Sequence, residues 1–360
     1  MPLSKIQGID GQVTPNLGRR NLLINGEFQI FQRATSATNP GGGYDTADRW
    51  RSSQNSGGLG NYNAEQSTDT PNGFGFSYKL TKSGVETQNS GNSAYIEQYI
   101  EGQNVQHLNY GSSSAKKLTA SFHVKSSVTG TYGCFLGDGT SNGKKNVQTF
   151  TISSANTWEK KVLTFNGDTA TALDNDNSAE LVFGIVLGSG THYHTGTTNS
   201  WLSAASPSAL STSSQTQWPQ TDGATFFMTG IQLEVGDTAT DFEHRSFGEE
   251  LSLCQRYYCK SNSQGTNPGT ATGAGAVKGI RGDGTFVCNL VFPQEMRAAP
   301  TITLYSPTTG ASGKCRNLAG SGSDETSSSF DVGTRNAGFT MGSAGLHSGN
   351  TVHFEATAEL

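Results

Sequence analysis

Leu118-Thr119-Ala120-Ser121-Phe122-His123-Val124-Lys125 alternates apolar and polar side chains with a period of two. Successive side chains of an extended strand point to opposite faces, so this stretch predicts a half-buried β-strand. Working outward, residues 133–136, 147–152 and 158–165 read as further strands, separated by turn clusters such as Gly137-Asp138-Gly139-Thr140-Ser141-Asn142-Gly143. Glu180-Leu181-Val182-Phe183-Gly184-Ile185-Val186-Leu187 is almost continuously apolar, which predicts a strand buried on both faces. Phe226-Phe227-Met228-Thr229-Gly230-Ile231-Gln232-Leu233 closes the set. Strands at this spacing predict two packed antiparallel sheets.

Composition agrees with an all-β chain. The 360 residues include 18 Phe and 11 Tyr with only 15% charged residues, which fits two or three folded domains and not a disordered chain. The 46 glycines follow no G-X-Y period, which excludes collagen. A net charge of −5 and the lack of a basic stripe argue against nucleic-acid binding. No apolar run approaches the roughly 18 residues of a membrane span. Met1-Pro2-Leu3-Ser4-Lys5 has no apolar signal-peptide core. The five cysteines (134, 254, 259, 288 and 315) include no C-x-x-C pair and are expected to be buried free thiols.

Four segments are expected. Residues 1–20 read as an extended arm whose Leu3, Ile6, Ile9 and Val13 would dock another subunit. Residues 21–245 form a large β-sandwich and 246–260 a short linking helix, with the helical pattern running over 248–258. Residues 261–360 form a second, smaller β-sandwich, with strands expected at 277–280, 285–291, 301–305, 330–334, 337–341 and 351–358. The Ser/Thr-rich stretch 189–222 interrupts the first sandwich and is long for a loop without structure, so it is expected to be either a functional loop or a packed excursion.

Both ends of the first sandwich carry a family resemblance. Asn21-Leu22-Leu23-Ile24-Asn25-Gly26-Glu27-Phe28-Gln29-Ile30-Phe31-Gln32-Arg33, followed by Asp45-Thr46-Ala47-Asp48-Arg49-Trp50, resembles the opening of jelly-roll modules in bacteriophage tail-fibre and structural proteins. It is also similar to the first strand of carbohydrate-binding jelly rolls. Gly230-Ile231-Gln232-Leu233-Glu234-Val235-Gly236 through Leu253-Cys254-Gln255-Arg256-Tyr257-Tyr258 resembles the end of such modules, and Phe292-Pro293-Gln294-Glu295-Met296-Arg297-Ala298-Ala299-Pro300-Thr301 a turn of their C-terminal sandwiches. The resemblance implies a virion protein, on the tail or the capsid surface, that is made in the host cytoplasm and freed by lysis, forms a homotrimer, binds other virion proteins through its arm and touches host surface polysaccharide. A capsid-surface decoration protein and a glycan-degrading enzyme are the rival readings.

Most single residues have a structural reading. Phe28, Ile30 and Trp50 are expected in the core, and Arg33 and Arg49 are expected to bond carboxylates or backbone carbonyls. Trp201 and Trp218, with Tyr193, could stack on sugar faces among Ser, Thr and Gln; loop anchors are the alternative. No cofactor is required, although the resemblance implies a structural Ca²⁺ site, for which Glu27 with Glu234 or Asp241 would supply oxygens; solvated acids are the alternative. Asp174-Asn175-Asp176-Asn177 and Arg281-Gly282-Asp283 read as turns. His192-Tyr193-His194 supplies two imidazoles without a third ligand, so a packed pair is favoured over a metal site. G-x-S-x-G, H-E-x-x-H and P-loop signatures are missing, so no enzyme is expected.

Overall fold

The computed structural model describes residues 19–139, 143–202, 209–282, 285–287, 289–318, 323–340 and 349–360. The arm residues Leu3, Ile6, Ile9 and Val13, together with Asp283 and Cys288, lie outside them. Among the described residues, twelve strands precede residue 236: β1 (Ser36–Thr38), β2 (Arg51–Asn55), β3 (Tyr62–Ser67), β4 (Ser77–Lys82), β5 (Ser93–Glu101), β6 (Leu118–Ser126), β7 (Gly130–Asp138), β8 (Lys145–Ile152), β9 (Glu159–Phe165), β10 (Ala179–Ser189), β11 (Trp201–Leu202) and β12 (Thr225–Val235). They form two six-stranded sheets, ordered β1-β3-β4-β12-β6-β9 and β11-β8-β7-β10-β5-β2. From β5 onward the chain crosses repeatedly between the sheets, and every pairing is antiparallel, as in a jelly-roll sandwich.

One face of each sheet supplies the core. Leu118, Ala120, Phe122 and Val124 of β6 are fully buried, as their alternation predicts. Phe28, Trp50, Tyr62, Tyr132, Phe183, Phe226 and Trp218 fill the space between the sheets. Asn25 takes φ 57°, and its amide side chain closes the turn by bonding Ile30 N and Ile30 O.

Strand β10 explains its own sequence. Leu181, Phe183, Ile185 and Leu187 face the core, while Val182 and Val186 join a smaller apolar cluster on the outer face with Phe135, Val147, Tyr193, Ala209 and Leu210. The excursion after β10 supplies that cover, so the described part of 189–222 is packed structure and not an open loop. Within it, Gln215 donates to Val186 O and accepts from Gly133 N.

The linking helix, α1 (Phe247–Gln255), is capped by Ser246, whose hydroxyl accepts from Glu249 N, with Glu249 and Glu250 in the first turn. It ends earlier than 258 because Tyr258 opens a strand, β13 (Tyr258–Lys260), that pairs with the last strand of the chain. The remaining strands are β14 (Val277–Gly282), β15 (Thr285–Val287), β16 (Asn289–Val291), β17 (Thr301–Tyr305), β18 (Lys314–Asn317), β19 (Asp324–Thr326), β20 (Ser329–Phe330), β21 (Asn336–Phe339) and β22 (Gly349–Thr357). β22 is the hub, pairing with β13, β14, β17 and β18 in a seven-stranded sheet. A three-stranded sheet, β16-β21-β20, packs on it through Leu290, Ala337 and Phe339. The apolar run 285–291 is therefore two strands in different sheets, and the strand expected at 330–334 stops at Phe330, where Asp331 takes φ 47°.

A buried polar joint ties the two sandwiches together. Glu359 accepts from Arg33 at 2.9 Å and also from Arg49. The Arg49 guanidinium lies over the Tyr257 ring, 3.5 Å from its centroid, and Arg33 over Tyr258 at 3.8 Å. Arg256 grips Glu101 through Nε and Nη2 at 2.8 and 2.7 Å. Planar, delocalised guanidinium groups suit this combination of carboxylate and ring contacts.

Candidate functional site

The outer face of the second sheet carries the densest unabsorbed chemistry. Cross-strand partners in an antiparallel sheet share a face, so the register fixes its rows. One row runs Arg51, Glu97, Gly184, Phe135, Val147; the next runs Tyr99, Val182, Gly137, Lys145, Leu202; a third holds Ser53, Tyr95 and Val186. Tyr95, Glu97 and Tyr99 thus project together from β5. The face is bounded at one end by the joint, where Glu101 bonds Arg256 and Tyr257. At the other end stand Tyr193, Ala209 and Leu210. Tyr95 to Tyr99 spans about 13 Å along the strand, room for more than one sugar ring.

Glu97, Lys145 and Phe135 form a buried floor, and Arg51, Tyr95 and Tyr99 a half-buried rim. Arg51 stands 3.7 Å from the Glu97 carboxylate, and the Tyr99 hydroxyl donates to it at 3.4 Å. Burial raises the Glu97 carboxyl above its ordinary value, against the pull of Arg51, Ser53 and Lys145. Burial likewise lowers Lys145, against the pull of Glu97 and Asp138. Burial also pushes the Tyr95 phenol up to about 12. The floor is flattened by Gly184: a Cβ there would sit 2.3 Å from the Phe135 ring. Phe135 in turn meets Tyr95 edge-on, centroids 5.6 Å apart. The result is the half-buried rings of Tyr95 and Tyr99, backed by the buried Phe135, beside a carboxylate acceptor and guanidinium and ammonium donors, the chemistry that holds a polyol.

The residues expected from sequence lie elsewhere. Trp218 is fully buried in the main core, so it offers no stacking face. Tyr193 is also buried; its hydroxyl donates to Gly91 O at 3.1 Å and accepts from Asn55. Trp201 is half-buried at the β8 edge, its indole N–H held by Asn166 O at 2.7 Å, and it borders a groove of about 250 Å³ with Lys144, Asp168 and Asn199. These three do not form one platform. His192 and His194 sit in and just after a turn, Thr191–Tyr193, with His194 Nε2 at 3.1 Å from Ser189 O.

Nor do Glu27, Glu234 and Asp241 form a calcium cage. Glu27 pairs with His244 at 3.0 Å, and Glu234 accepts from Thr240 and Gln232. Among the described residues, no three His, Cys, Asp or Glu side chains gather as a metal-holding group. The cysteines at 134, 254 and 259 are buried free thiols, and Cys315 is buried.

No family model matches the chain, and no curated protein does. Solved structures give distant likenesses. The enzymatically active domain of bacteriophage CBA120 tailspike protein 4 is 13% identical, with a TM-score of 0.33 over 60% of this chain and 21% of that one. TmCBM61, solved in complex with β-1,4-galactotriose, is 10% identical with a TM-score of 0.31, over 61% of this chain and all of its own. A family 16 carbohydrate-binding module is 12% identical, with a TM-score of 0.28 over 59% of this chain and 99% of its own.

Proposed function

We propose that the chain is a non-enzymatic, glycan-binding structural subunit of a bacteriophage particle, a tail-fibre or receptor-binding protein that acts as a homotrimer. The observation that carries the binding reading is the face built by Tyr95, Glu97 and Tyr99 with Arg51 and Lys145. The virion reading rests on the paired motifs at 21–50 and 230–258. Residues 1–20 would then join the subunit to other virion proteins. Binding without turnover is favoured because Glu97 is the sole carboxylate in those rows, and glycoside hydrolysis ordinarily takes two. Its neighbour Glu101 is held by Arg256 and Tyr257.

Retention of the purified chain on an array of bacterial surface polysaccharides tests the binding reading; retention without release of reducing ends is expected, and cleavage would overturn it. Imaging of particles lacking residues 1–20 tests the placement. Loss of a tail appendage is expected, whereas loss of a capsid-surface feature would move the protein to the capsid. A monomeric mass in solution would refute the trimer.

A further inference from the structure

We propose that the outer face of the first sheet, opposite the face described above, holds a second saccharide site selective for a sugar that bears a carboxylate. Strand β12 is irregular between Thr229 and Gln232, where Gly230 takes φ 61°. A Cβ at Gly230 would lie 2.5 Å from the Phe74 ring, so the glycine lets that ring settle directly on the strand. Phe74 meets Phe242 and His123 at centroid distances of 5.2 Å each, and Phe242 meets His244 at 4.9 Å. None of these rings belongs to a core cluster. They wall a groove of about 260 Å³, with Lys160 and Asp241 among its lining.

The polar groups are set for a ligand. His244 is held through Nδ1 by Glu27 at 3.0 Å, which leaves Nε2 available for a ligand. His123 has a buried Nδ1 with no hydrogen-bond partner. Lys160 lies beside His123 in register on β9. Two other lysines of this face are neutralised, Lys79 by Glu65 at 2.7 Å and Lys125 by Asp69, whereas Lys160 has no ion pair among the described residues. An unpaired ammonium beside aromatic walls calls for an anionic group on a ring with an apolar face. Asp241, in the same groove, would accept from that ring's hydroxyls. A hexuronate meets both demands; a neutral hexose leaves Lys160 unanswered.

The test is a titration of the full chain with methyl glucuronide, and with methyl glucoside as the neutral probe, followed through the imidazole resonances of His123 and His244. The glucuronide should shift both imidazoles saturably and bind more tightly than the glucoside. Lys160→Gln, at an exposed position, should weaken the glucuronide about fivefold and leave the glucoside unchanged. Phe74→Ala should abolish both responses. Tyr99→Ala, on the other sheet, should alter neither, so failure here and failure of the first face are distinguishable. No imidazole shift up to the solubility limit would overturn the proposal, and equal affinities for the two probes would overturn its carboxylate selectivity.

Discussion

Replacing Gly184 by alanine puts a methyl carbon where the Phe135 ring already lies. The new Cβ would be 2.3 and 2.4 Å from ring carbons, against the roughly 3.5–4.0 Å at which carbons rest. The ring must therefore retreat by about 1 Å or more. It has nowhere free to go, because Phe135 is fully buried and packs edge-on against Tyr95. Overpacking of this kind costs about 1–3 kcal/mol. Urea denaturation should show that loss as a lower midpoint at unchanged slope. The same movement displaces Tyr95, so polysaccharide retention should fall with stability. Shortening the obstructing side chain as well, in Gly184→Ala/Phe135→Leu, should recover part of the stability. A Gly184→Ala protein within about 0.5 kcal/mol of wild type, or one that keeps full retention, would refute the claim that glycine here sets the floor of the face.

Other consequences follow from the joint. Glu359→Ala leaves the buried guanidiniums of Arg33 and Arg49 without their shared carboxylate, and removing one partner from such a group should cost about 3–5 kcal/mol; a loss below about 1 kcal/mol by denaturant titration would show that Tyr257 and Tyr258 suffice. Burial lifts the Asp48 carboxyl to about 6, despite Arg33 and the bonds from Gln32. A raised acid holds its proton in the folded state after the unfolded chain has lost it, so stability should fall as pH rises from about 4 to about 6, by up to ~3 kcal/mol. Asp48→Asn should flatten that slope, and an unchanged profile in denaturation midpoints across the range would exclude Asp48 as its origin.

The sandwich was legible where burial follows periodicity. Strand β6 alternates and sends Leu118, Ala120, Phe122 and Val124 to the core, although its other face is covered too, with Thr119, Ser121 and Lys125 buried; β10 is apolar over 181–187 because the excursion after it covers its outer face. Strand β5 was not legible, although it carries the site. Its inward row reads Ala94, Ile96, Gln98, Ile100, and Gln98 breaks the apolar alternation because its amide bonds Ile24 N at 2.7 Å and Ile24 O at 2.8 Å, standing in for a strand neighbour. The outward Tyr95-x-Glu97-x-Tyr99 was the available signal. Trp201 and Trp218 drew attention through their polar setting in the chain, but chain neighbours do not report tertiary cover: Trp218 reaches the core from a Ser/Thr-rich stretch. The run 285–291 misled for a similar reason, since a change of sheet leaves no mark in hydrophobicity.

The central claim is that the second sheet's outer face recognises glycan through Glu97 and Tyr99. Its most direct test is the affinity of the wild type, Glu97→Gln and Tyr99→Ala for a polysaccharide the wild type retains, with each variant's folding checked by its denaturation midpoint. The account predicts at least about a tenfold loss for each variant, the order expected on removing a charged hydrogen bond or an aromatic contact. Unchanged affinity in both folded variants would contradict it.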